Sequence, residues 1–94
     1  MKALIIGSGA IGSIIAGTLT KNEAYDEVLL GDLKPETAMA VKKRLGEPKR
    51  IIPVAINANN IADMKRVMKG VNMTVNATLP RFFLKIMQAC VESG

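Results

Sequence analysis

The chain has 94 residues, enough for one hydrophobic core and too few for two. Hydrophobic residues make up 49% of it, which excludes a disordered chain, while Gly, Asn, Lys and Asp break every apolar run well short of a transmembrane helix. A net charge of +5 with no histidine and only three aromatics leaves little for a base-stacking nucleic-acid surface and removes the commonest general base.

The first element is a strand over 2–6, KALII; the opening Met1-Lys2-Ala3-Leu4 lacks the long apolar segment of a signal peptide. A helix follows over 10–21, with Ile11, Ile14, Ile15 and Leu19 on one face at helical spacing. The second strand covers 26–31 and the second helix runs from about Pro35 to Leu45. Proline suits its first turn, Gly46 suits its exit, and Ala38, Val41 and Leu45 form its apolar stripe. Around its end, Lys42, Lys43, Arg44, Lys49 and Arg50 read as a solvated basic face.

The third strand spans 50–56. Pro53 interrupts it, which places it at a sheet edge because proline cannot donate to the ladder. The third helix spans about 60–69, capped by Asn59 or Asn60, with Ile61, Met64 and Met68 inward and Gly70 at its end. The fourth strand covers 71–76. The fourth helix runs from about Pro80 to Glu92, with Phe83, Ile86, Met87, Cys90 and Val91 on its apolar face and Gly94 beyond it. Cys90, the one cysteine, has no internal disulfide partner and reads as a small core residue in a reducing cytoplasm. Phe82 and Phe83 read as core.

Four strand–helix units in succession predict an α/β fold: a parallel sheet of about four strands in the order 3-2-1-4, with helices on both faces. A complete dinucleotide fold has about six strands. Residues 1–94 are therefore expected to be one dinucleotide-binding domain, a partial Rossmann fold from the front of a longer enzyme. The fourth strand would be an open edge inclined to pair with another copy.

Gly7-Ser8-Gly9-Ala10-Ile11-Gly12 matches G-x-G-x-x-G, follows an apolar strand and opens an amphipathic helix. Gly7 permits the tight turn, Gly9 lets the backbone approach a pyrophosphate, and Gly12 lets the helix pack closely on the sheet. The helix N-terminus offers free N–H groups to the phosphates. Asp32 lies 20 residues beyond Gly12, where the ribose-binding acid of such folds is expected. Its carboxylate would accept the ribose hydroxyls and repel a 2′-phosphate, so NAD is favoured and NADP, with Lys34 nearby, is the alternative. After strand three, Asn57-Ala58-Asn59-Asn60 offers Asn57 to the adenine and Asn59 or Asn60 to the helix cap; ordinary turn chemistry accounts for the same residues equally well. After strand four, Ala77 and Thr78 are expected near the pyrophosphate and the nicotinamide ribose, with Thr78 donating its hydroxyl.

The segments MKALIIGSGAIG and VNATLPRFFLKIMQACVESG, with Asp32 between them, make the chain resemble the N-terminal domain of the saccharopine dehydrogenase superfamily. The resemblance spans the whole chain. It implies a parent enzyme moving hydride between NAD(P) and a C–N bond of an amino-acid or polyamine-like substrate. Members often carry an acid after strand three, where this sequence has Asn57. The substrate domain is absent from these residues, so the resemblance assigns no catalytic residue here, and the chain alone is expected to be inactive. The partners expected are the dinucleotide, a small-molecule substrate in the parent enzyme and further copies of the chain; nucleic acid, membrane and metal are not expected. Two other readings stay open. One is a nucleotide-sensing regulatory domain of the potassium-transport type, although such domains carry a Gly-Asp pair where Ile56-Asn57 stands. The other is a different Rossmann enzyme, such as an amino-acid dehydrogenase or a short-chain reductase.

Overall fold

A computed structural model describes residues 1–46, 49–78 and 82–93. Its elements alternate without exception: β1 (Lys2–Ile6), α1 (Ala10–Thr20), β2 (Glu27–Asp32), α2 (Pro35–Arg44), β3 (Ile51–Ala55), α3 (Ile61–Met68), β4 (Met73–Asn76) and α4 (Phe83–Ser93). Pro80 and Gly94, expected to open and close the fourth helix, lie outside the described residues. No described helix is long and apolar enough to cross a membrane.

The sheet is parallel throughout, in the order β3-β2-β1-β4. Pro53 sits on the edge strand β3 opposite Leu30, as its missing N–H requires. The central strands β1 and β2 are buried on both faces, which is why each reads as a near-continuous apolar run. Alternation along β1 divides the core in two. Leu4 and Ile6 pack with Met64, Val67 and Met68 of α3 and with Ile86 and Ala89 of α4. Ile5 packs on the opposite face with Ala16 of α1 and with Ala38 and Val41 of α2.

Two helices bury a different stripe from the one their largest residues suggest. In α1 the buried positions are Gly12 and Ala16. Ile15 and Leu19 are partly covered, while Ile11 and Ile14 are 64% and 69% exposed. Close approach to the sheet selects the small residues of this helix, and bulky isoleucines cannot occupy that line of contact. In α4, Ile86 and Ala89 face the core, while Phe83, Met87, Val91 and Cys90 are exposed. Cys90 is therefore not a core residue. Leu45, the C-cap of α2, is also on the exposed side, at 37%.

Arg50 departs from the solvated face expected of its neighbours. It is half-buried, and its guanidinium donates to the carbonyls of Asn22 and Tyr25, each at 3.1 Å, and to that of Thr20. It thereby ties down the loop between α1 and β2, including a C-terminal carbonyl of α1, where a cation is favourable. The Met1 amine holds the same loop at Ala24 O and the Asp26 carboxylate.

Candidate functional site

The loops that follow β1, β2, β3 and β4 gather at the carboxyl edge of the sheet, where a parallel α/β fold leaves its crevice. The turn after β1 is closely packed. Gly7 has φ +105°, and a Cβ there would lie 2.7 Å from the Ala77 carbonyl oxygen. A Cβ on Gly12 would lie 1.9 Å from the Gly7 carbonyl oxygen. Both glycines are demanded by the protein's own packing. Gly9 differs: its φ is −72°, and a Cβ there would meet nothing within 4 Å. The fold itself has no steric need for glycine at position 9, so the bare backbone faces open space.

Gly9 is also the N-cap of α1 and supplies no side-chain acceptor. The N–H groups of Ala10, Ile11 and Gly12 belong to the first turn, where no intrahelical carbonyl can reach them. The first intrahelical bond here is Ser13 N–H to Gly9 O at 2.9 Å. Gly9, Ala10 and Ile11 line a recess of about 400 Å³ closed on its other side by Ala77, Thr78 and Phe82. Thr78 and Phe82 are shared with a second recess of about 180 Å³, lined also by Gly7, Asp32, Leu33, Ile56 and Asn57. The two recesses adjoin along these shared walls, one at the start of α1 and the other over the ends of β1, β2 and β3.

Ser8 and Asp32 are joined at this edge of the sheet. Ser8 is buried and lines neither recess. Its hydroxyl donates to Asp32 Oδ2 at 2.5 Å and its backbone N–H to the same oxygen at 3.2 Å. The Lys34 N–H donates to Oδ1 at 3.0 Å. Partial burial pushes the Asp32 carboxyl up, but the Ser8 hydroxyl, the Lys34 and Ser8 N–H groups and the nearby Leu33 N–H together outweigh it. The net result lies below the ordinary aspartate value, so the group is an anion at neutral pH. A carboxylate has about four acceptor positions. Ser8 engages Oδ2 twice and Lys34 engages Oδ1, so both oxygens are held by the protein.

The remaining residues singled out in the sequence are brought to the same edge, with their polar groups engaged locally. Asn57 Oδ1 accepts the Asn59 N–H at 2.9 Å, and the Asn57 N–H donates to Asp63 Oδ2 at 2.8 Å. Asn60, not Asn59, caps α3, its side chain accepting the Asp63 N–H at 3.0 Å. The Thr78 hydroxyl donates to Asn76 Oδ1 at 2.6 Å, and the Thr78 N–H reaches the same oxygen at 3.0 Å. The Ala77 N–H donates to Ile6 O at 2.9 Å, extending the β1–β4 ladder by one rung. Asn76 holding Thr78 escapes sequence reasoning; Phe82 packs against the core as expected and is also a wall of both recesses. A strand-ending Asn two residues before a Thr is the signal for the first; nothing in the spacing of Phe82 separates wall from core.

The sequence matches the family described as the saccharopine dehydrogenase NADP binding domain over residues 3–94. It is 27% identical, over 95 aligned positions, to the carboxyaminopropylagmatine dehydrogenase of Synechocystis sp. (strain ATCC 27184 / PCC 6803 / Kazusa); the alignment covers 99% of this chain and 24% of the relative. The fold superposes on apo saccharopine dehydrogenase (L-Glu forming) from Saccharomyces cerevisiae with a TM-score of 0.82 at 16% identity, covering 98% of this chain and 20% of that one. The chain thus spans about a quarter of the length of the relative and a fifth of the structural match.

Proposed function

The chain belongs to this dinucleotide-binding family, and from that premise we propose that its crevice holds a nicotinamide dinucleotide by the residues named above. The pyrophosphate lies on the Gly7–Gly12 turn, against the N–H groups of Ala10 and Ile11. The adenosine ribose meets Asp32, the adenine enters the recess beside Asn57, and the nicotinamide half passes Ala77 and Thr78. The observation that carries this reading is Gly9. Its neighbours Gly7 and Gly12 are glycines because protein atoms crowd them; Gly9 is crowded by nothing, and a Cβ there would project into the open space to which this reading assigns the pyrophosphate.

The bound dinucleotide supplies the hydride acceptor or donor, and this domain orients it and fixes the charge around it. The activity proposed for the parent enzyme is hydride transfer at a C–N bond of an amino-acid-like or polyamine-like substrate. With a quarter of the relative's length covered, the substrate seat and the acid–base groups are assigned to other parts of a longer polypeptide. Residues 1–94 bind cofactor without turnover.

Asp32 favours NAD over NADP, because an anionic carboxylate at the adenosine ribose repels a 2′-phosphate. The family's description names NADP and supports the second reading, in which Lys34 swings to the phosphate. Calorimetric titration of the protein with NADH and NADPH tests both. The expected result is saturable binding with NADH the tighter ligand. Tighter NADPH binding reverses the preference, and absence of binding by either removes the proposal.

A further inference from the structure

We infer that Ser8 sets the dinucleotide selectivity of this site by clamping the Asp32 carboxylate where it can accept a ribose hydroxyl and oppose a 2′-phosphate. The inference rests on the cofactor reading above and deepens it. Ser8 is 2% exposed, so its hydroxyl lies beneath the crevice surface and acts through Asp32 as a positioning residue. Both of its donors converge on one oxygen, Asp32 Oδ2, at 2.5 and 3.2 Å, and the other oxygen is held by the Lys34 N–H at 3.0 Å. The hydroxyl contact has the short length of a charge-assisted O–H···O⁻ bond.

The clamp has a rigid base. Ser8 stands between Gly7, confined by its positive φ and by the Ala77 carbonyl, and Gly9, the N-cap of α1. The Gly7 N–H is itself bonded to Gly31 O at 2.8 Å, one residue before Asp32. The serine therefore cannot follow the carboxylate if it turns. An aspartate on a crevice rim without such a partner can change rotamer, turning aside from a 2′-phosphate and losing its alignment with a hydroxyl. Selectivity by charge requires the charge to stay in place.

The test compares NADH and NADPH affinities in Ser8→Ala, in Asp32→Asn and in the double variant, with the Asp32 carboxyl titration followed by carbon NMR in the first. In Ser8→Ala, NADH affinity is expected to fall about tenfold and NADPH affinity to change by less than about twofold, narrowing the ratio. The Asp32 carboxyl is expected to titrate closer to the ordinary aspartate value. Adding Ser8→Ala to Asp32→Asn leaves the ratio where Asp32→Asn alone puts it, because the hydroxyl acts only through the charge. Equal loss of both affinities in Ser8→Ala, or independent effects of the two substitutions on the ratio, overturns the inference while the cofactor reading stands. Failure of the unsubstituted protein to bind either dinucleotide overturns both. Ser8→Cys, close in size and a far weaker donor, carries the same comparison if Ser8→Ala does not fold.

Discussion

Two helices start at the same edge of the sheet, α1 after the glycine turn and α3 after the asparagine turn, and only the second has a side-chain cap. At α3 the cap and the turn before it are tied together. Asn60 accepts from Asp63, Asp63 accepts from Asn57, and Asn57 accepts from Asn59. At α1 the N-cap is a glycine with no side chain to offer, and the helix end opens on the crevice. Both turns are rich in residues that sequence reasoning associates with ligands. The hydrogen bonds separate them: one turn is tied to itself, and the other leaves the first N–H groups of α1 without a side-chain cap.

Substitutions in the two turns should therefore differ in kind, and the largest effect belongs beneath the glycine turn. Gly12→Ala forces a methyl group to 1.9 Å from the Gly7 carbonyl, so β1 and α1 must separate. The expected loss is about 3 kcal/mol of stability or more, read by denaturant unfolding. A loss below about 0.5 kcal/mol, the range of ordinary surface changes, would show that the turn is not packed as described.

The asparagine turn should give a smaller loss, confined to stability. Asp63 is held below the ordinary aspartate value, chiefly by the Asn57 N–H and then by the Arg66 side chain, against a small opposing effect of burial. A carboxyl lowered in the folded state binds fewer protons there than in the unfolded chain. Its contribution is complete above the unfolded value and disappears as pH falls through the lower folded one. Asp63→Asn is expected to lower stability modestly at pH 7 and to flatten its decline below about pH 4. Dinucleotide affinity should stay within about twofold, well under the tenfold that 1.4 kcal/mol represents. An unchanged acid slope, or a large loss of affinity, would erase the contrast between the turns.

Much of the fold was legible beforehand for physical reasons. Pro53 could only lie on an edge strand, and β1 and β2 could only be central, because proline lacks a donor and doubly buried strands carry unbroken apolar runs. The glycine spacing and the distance to Asp32 pointed to loops that the structure brings together at the carboxyl edge of the sheet. What stayed hidden depended on tertiary approach. Helical periodicity marked Ile11 and Ile14 as a face, but α1 meets the sheet along Gly12 and Ala16. In α4 the same pattern hid the fact that Ala89, a small residue, is inside while Cys90 and Val91 are out. Nor could spacing reveal that Ser8 reaches a residue 24 positions away, or that Asn57 spends its carbonyl within its own turn.

The most direct measurement is a calorimetric titration of Gly9→Val with NADH, alongside thermal unfolding of the same variant. The side chain meets no protein atom within 4 Å of its Cβ and the backbone is already extended, so the melting temperature should be preserved. Binding should fall by at least about a hundredfold, the equivalent of two factors of 1.4 kcal/mol, because the methyl groups occupy the place of the pyrophosphate. Undiminished NADH affinity in a folded Gly9→Val protein would contradict the assignment of this turn to the cofactor.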